Sequence, residues 1–356
     1  MKGVVLHGGR GTRLRPLTHT GPKQLIPVAN KPISQYVLED LKNAGIDEIA
    51  IILGHIQPDI VREKYGDGSQ LGLDISYIRQ DEPKGIAHAV KLCREFVGDE
   101  LFAVYLGDNL IKGGIDRLAE KFENSDSEAL VFLNEVDKPQ QFGVAKFDEE
   151  GNLKKLVEKP EDPPSNYALT GIYFFSPKIF EMIDKIEPSW RGELEITDAI
   201  QLLLDEGYDV DYDKVQGWWK DTGTPEDVLE ANRLILDNLK PQVNCEVDGK
   251  NCLQGRVSVG EGSTVERGAK VRGPSIIGNN TVIKSGVYIG PYTSIGDGVE
   301  IMEGEIENSI VMNNCEIRVG ERIVNSLIGP DSRIVSGDSK PTGRSMILGK
   351  SSEVIL

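Results

Sequence analysis

A chain of 356 residues, 39% apolar and 27% charged, has the proportions of a soluble globular protein and enough length for more than one hydrophobic core. Its net charge of −17 sets the mean field against nucleic acid polymers and anionic membrane surfaces, leaving room for a small anion held by a local basic patch. No apolar run approaches the length of a membrane span, and Met1 to Leu6 has the make-up of neither a signal nor a transit peptide, so a cytoplasmic protein is expected.

The basic patch opens the chain. Gly8 to Thr18 read GGRGTRLRPLT and Pro22 to Leu25 read PKQL. Lys2, Arg10, Arg13, Arg15, Lys23 and Lys31 all precede the first carboxylate, Glu39. Glycine brings backbone amides against a bulky ligand without a Cβ in the way, so glycines followed by fixed cations form a phosphate cradle. The glycines alone read equally well as a turn after a short strand. Neither the P-loop nor the dinucleotide fingerprint fits, because GxxxxGK[ST] is absent and Leu14 stands where a third glycine is required.

Downstream, short apolar runs at Gly3 to Leu6, Glu48 to Leu53, Ile75 to Ile78 and Leu101 to Leu106 alternate with amphipathic stretches. Ile33, Val37, Leu38 and Leu41 share one helical face, as do Ala87, Val90 and Cys93. This βαβ pattern predicts an α/β fold with a mixed, mostly parallel sheet, its ligand lying beyond the carboxyl ends of the strands. The glycine loop and the LGDN turn at Leu106 to Asn109 both fall there. Further strands are expected at Phe142 to Phe147, Leu153 to Pro160 and Ala168 to Phe175, with helices at Lys178 to Ile186, Glu195 to Glu206 and Pro225 to Leu239.

Pro241 to Gly249 reads as a boundary, giving domains of 1–240 and 241–356. Beyond it, VSVGEG, STVERGA, PSIIGNN, TVIKSGV and SIGDGVEI place an aliphatic residue before glycine or a small polar residue about every six positions. That period predicts a parallel β-helix whose phase loosens from Glu303 onward. Cys93, Cys245, Cys252 and Cys315 carry no CxxC spacing and read as reduced thiols rather than zinc ligands; Cys245 and Cys252 could meet across a turn.

GGRGTRLRPLT followed by PKQLIPVANKPI closely resembles the sugar-1-phosphate nucleotidyltransferases. QDEPKGIAHA, LGDN, FGV, VEKP, TGIYFF, RGELEITDA and GWWKDTGTPEDVLEAN match in the same order. The resemblance covers nearly the whole chain. Gln24 in PKQL is similar to the thymidylyl-transferring branch, and the hexad repeats to its long form, which implies a Rossmann-like catalytic domain followed by a left-handed parallel β-helix. His7 departs from the pattern, standing where relatives carry a small residue, and a small steric adjustment of the base pocket is expected there.

The resemblance implies that glucose 1-phosphate attacks the α-phosphorus of dTTP, with magnesium held by Asp108 and Asp221. Arg13 and Lys23 would take the triphosphate, so that Arg13, Lys23 and Asp108 form the catalytic set, and Gly8, Gly9 and Gly11 would offer amides. Gln24 and Gln80 would read the pyrimidine edge, with Gly85 beneath the base. Gly143, Glu158 and Gly171 would contact sugar hydroxyls and Lys159 the sugar phosphate. Glu158 and Lys159 are adjacent on a presumed strand and point to opposite faces unless the chain bends. Arg191 and Glu195 also read as an acidic helix start, and Trp218 and Trp219 as packing residues.

UTP is the alternative donor, because one methyl group gives only about 1–3 kcal/mol of discrimination. A non-catalytic nucleotide-sugar-binding subunit is another reading, although Arg13, Lys23, Asp108 and Asp221 are all retained. An acyltransferase tail would call for a histidine base, and His7, His19, His55 and His88 all lie in the first domain. The repeats therefore read as an assembly or regulatory surface, in a protein expected to be a homo-oligomer.

Overall fold

A computed structural model describes residues 1–9, 11–244, 246–247 and 252–336. Arg10 and Cys245 lie outside the described residues. Contacts divide the chain into two compact units between Ala231 and Asn232.

The first unit begins with strand β1 (Lys2–His7), helix α1 (Ile33–Asn43), β2 (Glu48–Leu53), α2 (Pro58–Tyr65), β3 (Asp74–Arg79), α3 (Ile86–Lys91) and β4 (Phe102–Leu106). Next come β5 (Asn109–Ile111), α4 (Asp116–Glu123), β6 (Ala129–Glu135), β7 (Gly143–Phe147), β8 (Leu153–Glu158) and β9 (Tyr167–Phe175). It closes with α5 (Lys178–Ile183), α6 (Ile196–Asp205), β10 (Val210–Lys214), β11 (Trp219–Asp221) and the start of α7 (Pro225–Leu236). The main sheet runs β8-β7-β9-β4-β1-β2-β3, with β6 and then β10 branching from β9.

Continuous aliphatic runs make the central strands because both faces of the sheet are covered. Val4 and Leu6 enter a core with Val90, Val104 and Ile200, whereas Val5 enters the opposite core with Val37, Leu41 and Phe174. The sheet is less parallel than expected. The ladders β4-β1-β2-β3 are parallel, but β9 runs antiparallel to β4, β6 and β7, and β8 antiparallel to β7. The second half departs from the βαβ pattern: β7 and β8 form a hairpin, and β9 returns to lie between β7 and β4.

In the second unit, short strands pair in parallel in three columns, for example Val257–Val259 with Ser275–Ile277 and then Thr293–Ile295. Stacked positions lie 18 residues apart. Val259, Val265, Val271, Ile277, Ile283, Ile289, Ile295 and Ile301 follow one another every sixth residue and are all buried in one core. Past Ile301 the ladder slips at Glu303 and Glu305, and side-chain bonds between stacked turns span 16 or 17 residues. The last turns of α7 belong to this unit: Asn232 donates to the Tyr292 carbonyl and accepts from Ser294, and Arg233 donates to Asn308. The contact boundary therefore falls inside α7 rather than after it. Cys93 and Cys315 are buried free thiols, and Cys252 is buried. No described helix is long and apolar enough to cross a membrane.

Candidate active site

Two clefts of about 310 and 240 Å³ open at the carboxyl ends of β1 and β4. Lys23 and Asp108 line both. The first cleft is walled by Gly8, Gly9, Gln80, Gly85 and Arg191, the second by Arg13, Gly143, Glu158, Lys159, Gly171 and Asp221. The expected nucleotide side and sugar side are thus neighbouring spaces that meet at one ion pair.

The glycine loop is shaped by backbone geometry. Gly9 and Gly11 adopt φ of 98° and 54°, and a Cβ on Gly11 would lie 2.9 Å from the Thr18 methyl. Thr18 donates to the Gly11 carbonyl at 2.7 Å, holding the loop closed. A one-turn 3-10 helix, Lys23–Leu25, then sends consecutive side chains in different directions. Lys23 enters both clefts and pairs with Asp108. Gln24, only 1% exposed, lies behind the loop, where its Nε2 donates to the Gly8 carbonyl at 2.9 Å, and it lines neither cleft.

Asp108 and Asp221, far apart in sequence, are joined by a short antiparallel ladder in which Asp221 faces Asn109. The Thr222 N–H and hydroxyl both donate to the Asp108 carbonyl, at 3.1 and 2.8 Å. Asp108 accepts from the Asn109 amide on Oδ1 and pairs with Lys23 through Oδ2. Burial, then the Asp108 charge, hold the Asp221 carboxyl well above its ordinary pKa, against the pull of Lys23 and Arg13. Burial opposes the charge on Lys23, but Asp108 and Asp221 outweigh it and raise its pKa. A Cβ on Gly223 would lie 2.8 Å from the Arg13 guanidinium and 3.4 Å from Asp221, so Arg13 reaches the same spot.

On the first cleft, Gln80 donates to the Gly85 carbonyl at 3.3 Å and contacts His88 Nδ1 at 3.1 Å. Gly85 has φ 101°, and a Cβ there would sit 2.3 Å from the Leu194 carbonyl oxygen. That close approach lets Leu194 bond Lys84 and Ala87, which brings Arg191 to the cleft wall. Arg191 contacts Glu158, Glu193 and Glu195 at 3.5, 2.6 and 3.4 Å. The sequence marked Arg191 and Glu195 only weakly, because their role depends on this pairing of distant loops.

On the second cleft, Glu158 accepts from Thr197 at 2.7 Å and faces Gly143 in register. Lys159 adopts φ 41°, which bends the chain directly after β8 and lets both adjacent side chains line the cleft. Gly171, φ 78°, sits at a break in the β9–β6 register, and a Cβ there would lie 2.5 Å from Leu106. Trp219 lines the cleft while its indole donates to the Thr170 carbonyl at 2.9 Å, so it both packs and presents a wall. Asn109 also lines it, with a buried Oδ1 that finds no partner among the described residues; its neighbour in the LGDN turn was the only sequence signal.

His7 does not reach either cleft. It is 3% exposed beside Gln24 and the Tyr65 ring, with both ring nitrogens unbonded among the described residues, and burial pushes its pKa down to about 4.

Residues 2–238 match the family model described as nucleotidyl transferase, and residues 271–354 that described as GMPPB C-terminal domain. A low-salt glycan biosynthesis nucleotidyltransferase of Haloferax volcanii is 51% identical over 100% of both chains. A glucose-1-phosphate thymidylyltransferase of Streptomyces antibioticus is 46% identical over 99% of each. Among solved structures, a Bacillus anthracis protein assigned as a glucose-1-phosphate thymidylyltransferase and crystallised with sucrose is 39% identical, with a TM-score of 0.63 over 68% of this chain and 97% of that one.

Proposed function

The chain belongs to the nucleotidyl transferase family, and on that premise we propose that it transfers a thymidylyl group from dTTP to glucose 1-phosphate, giving dTDP-glucose and pyrophosphate. The observation that carries this reading is the pair of clefts sharing Lys23 and Asp108, which gives two phosphorylated substrates one meeting point.

An oxygen of the sugar phosphate attacks the α-phosphorus as the bond to the β-phosphate oxygen breaks, and pyrophosphate leaves with the electron pair. The attacking phosphate is largely ionised near neutrality, its second pKa being about 6, so no general base is needed. The protein must instead relieve the repulsion between two polyanions and hold them in line. Arg13 and Lys23 neutralise the triphosphate and the departing pyrophosphate, and Gly8, Gly9 and Gly11 offer amides. Gln80 reads the pyrimidine edge above the bare backbone of Gly85. Gln24 acts through the loop, fixing the Gly8 carbonyl. Gly143, Glu158 and Gly171 meet the sugar hydroxyls, and Lys159 its phosphate.

Asp108 and Asp221 fit magnesium. Asp108 is buried and Asp221 half-buried; burial, then the Asp108 charge, raises the Asp221 pKa against Lys23 and Arg13, a cost that a divalent cation between the two carboxylates would relieve. No cluster of three or more ligating side chains exists among the described residues, which suits an ion that completes its shell with phosphate oxygens and water. Bound there, the ion would polarise phosphoryl oxygens and offset their charge.

The 18-residue stacking supports a left-handed parallel β-helix for the second domain, serving as the assembly surface of a cytoplasmic homo-oligomer. Glucose 1-phosphate offered with each nucleoside triphosphate in turn, following pyrophosphate release, tests the reaction. Fastest release with dTTP is expected; preference for UTP would reassign the donor, and no release with any triphosphate would refute the activity.

A further inference from the structure

We propose that the second unit carries its own binding site for a small organic phosphate, best fitted by a nucleoside diphosphate, on the outer face formed by Lys270, Arg272, Tyr288, Glu305 and Arg322. These residues line a groove of about 500 Å³. None belongs to the clefts of the first unit, so the inference stands independently of the proposed reaction.

The stacking of the strands creates the groove. Lys270 and Arg272 flank Val271, which is fully buried, so both cations project outward from one short strand. In register, Lys270 pairs with Tyr288, Tyr288 with Glu305, and Glu305 with Arg322. At the ordinary spacing of adjacent strands this row is about 14 Å long, the reach of a nucleoside diphosphate rather than of a single inorganic ion. Gly286 leaves the floor open: it adopts φ 86°, and a Cβ there would have no neighbour within 4 Å.

Charge selects the ligand. Lys284 and Arg333 on the same unit each rest on a carboxylate, at 2.9 and 2.8 Å, and Arg322 is tied to Glu307. The Lys270 ammonium has no hydrogen bond or ion pair among the described residues. Among the described residues the Arg272 guanidinium meets only the Gln254 amide oxygen, at 3.2 Å, and the Tyr288 ring, 6.0 Å from its centroid. Two uncompensated cations side by side in a chain of net charge −17 form a phosphate anchor. Beside them the Tyr288 ring offers a stacking face, and Glu305 an acceptor for a hydroxyl or amino group. Phosphate, ring and hydrogen-bond donor in that order describe a nucleotide.

Equilibrium dialysis of labelled dTDP against the full-length protein counts the sites. The double variant Lys270→Ala/Arg272→Ala is expected to bind one dTDP fewer per chain than the wild type, with Tyr288→Ala weakening that site about tenfold. All three positions project from the surface, and circular dichroism confirms that the variants fold. Competition separates the sources of the phosphate. Displacement by nucleoside diphosphates or by glucose 1-phosphate at concentrations where orthophosphate fails supports an organic phosphate. Equal numbers of sites in the wild type and the double variant overturn the proposal. So does an adventitious ion only, seen as orthophosphate competing equally well while Tyr288→Ala changes nothing.

Discussion

The Lys23 ammonium pairs with the Asp108 carboxylate where the two clefts join, so the cation assigned to the triphosphate and the carboxylate assigned to the metal occupy each other in the free protein. In the proposed reaction substrate and metal would part them, and each would then find the opposite charge it lost. Asp108→Asn keeps the side-chain shape, and Asp221 remains to balance Lys23, so the fold survives. Removing one preorganised charge at a phosphoryl centre should lower turnover about a hundredfold or more. Pyrophosphate release at saturating magnesium measures this, and a near-normal rate would remove Asp108 from the metal site.

Gln24 sits one residue from Lys23 but faces away from both clefts. Truncation to alanine frees the Gly8 carbonyl and loosens the amides around the phosphates, which every nucleotide shares. Gln24→Ala should therefore raise KM for dTTP and UTP by the same factor. A change in their ratio, measured with both donors side by side, would return Gln24 to base reading.

What the sequence could and could not reveal follows from how each residue is positioned. The glycine loop and the LGDN and KDTG turns were legible because glycine, strand ends and local charge are written in neighbouring residues. The opposed directions of Lys23 and Gln24 depend on one turn of 3-10 helix, which motif order does not encode. Likewise the bend at Lys159 is a left-handed conformation of a non-glycine residue, whose N–H donates to the Phe142 carbonyl across the chain. Arg191 reaches its cleft only through the tertiary pairing of Leu194 with Lys84. The hexads gave the opposite experience: their period of six appears unchanged in the buried row from Val259 to Ile301.

Gly85 couples two loops. An alanine would carry its Cβ to 2.3 Å from the Leu194 oxygen and 2.8 Å from its nitrogen, both backbone atoms, at a φ that disfavours side chains. The Lys84–Leu194 pairing must open, at a cost on the order of 1–3 kcal/mol, and Arg191 moves with it. Gly85→Ala should lower the thermal midpoint and raise KM for dTTP more than it lowers kcat. Steady-state kinetics alongside a melting curve tests both, and unchanged values would mean that the loop yields freely.

Two groups outside the clefts, the buried His7 and the half-buried Asp40, oppose each other in acid. Burial pushes His7 from 6.5 down to about 4, so between those values the unfolded chain binds a proton the folded one refuses, and stability is lost as pH falls from about 6.5. Burial, with Glu39 and Asp116 adding, lifts Asp40 from 3.8 to about 7 although the Tyr105 hydroxyl donates to it at 3.2 Å. There the folded chain keeps a proton that the unfolded one releases, so stability is lost as pH rises from about 4 to 7. Each effect amounts to at most about 3–4 kcal/mol. His7→Leu should gain stability over the wild type increasingly as pH drops below 6.5, whereas Asp40→Asn should gain increasingly as pH climbs toward 7 and nothing near pH 4. Urea unfolding of both variants and the wild type across pH 4–8 reads the two slopes. Parallel curves would show that neither group titrates as its burial dictates.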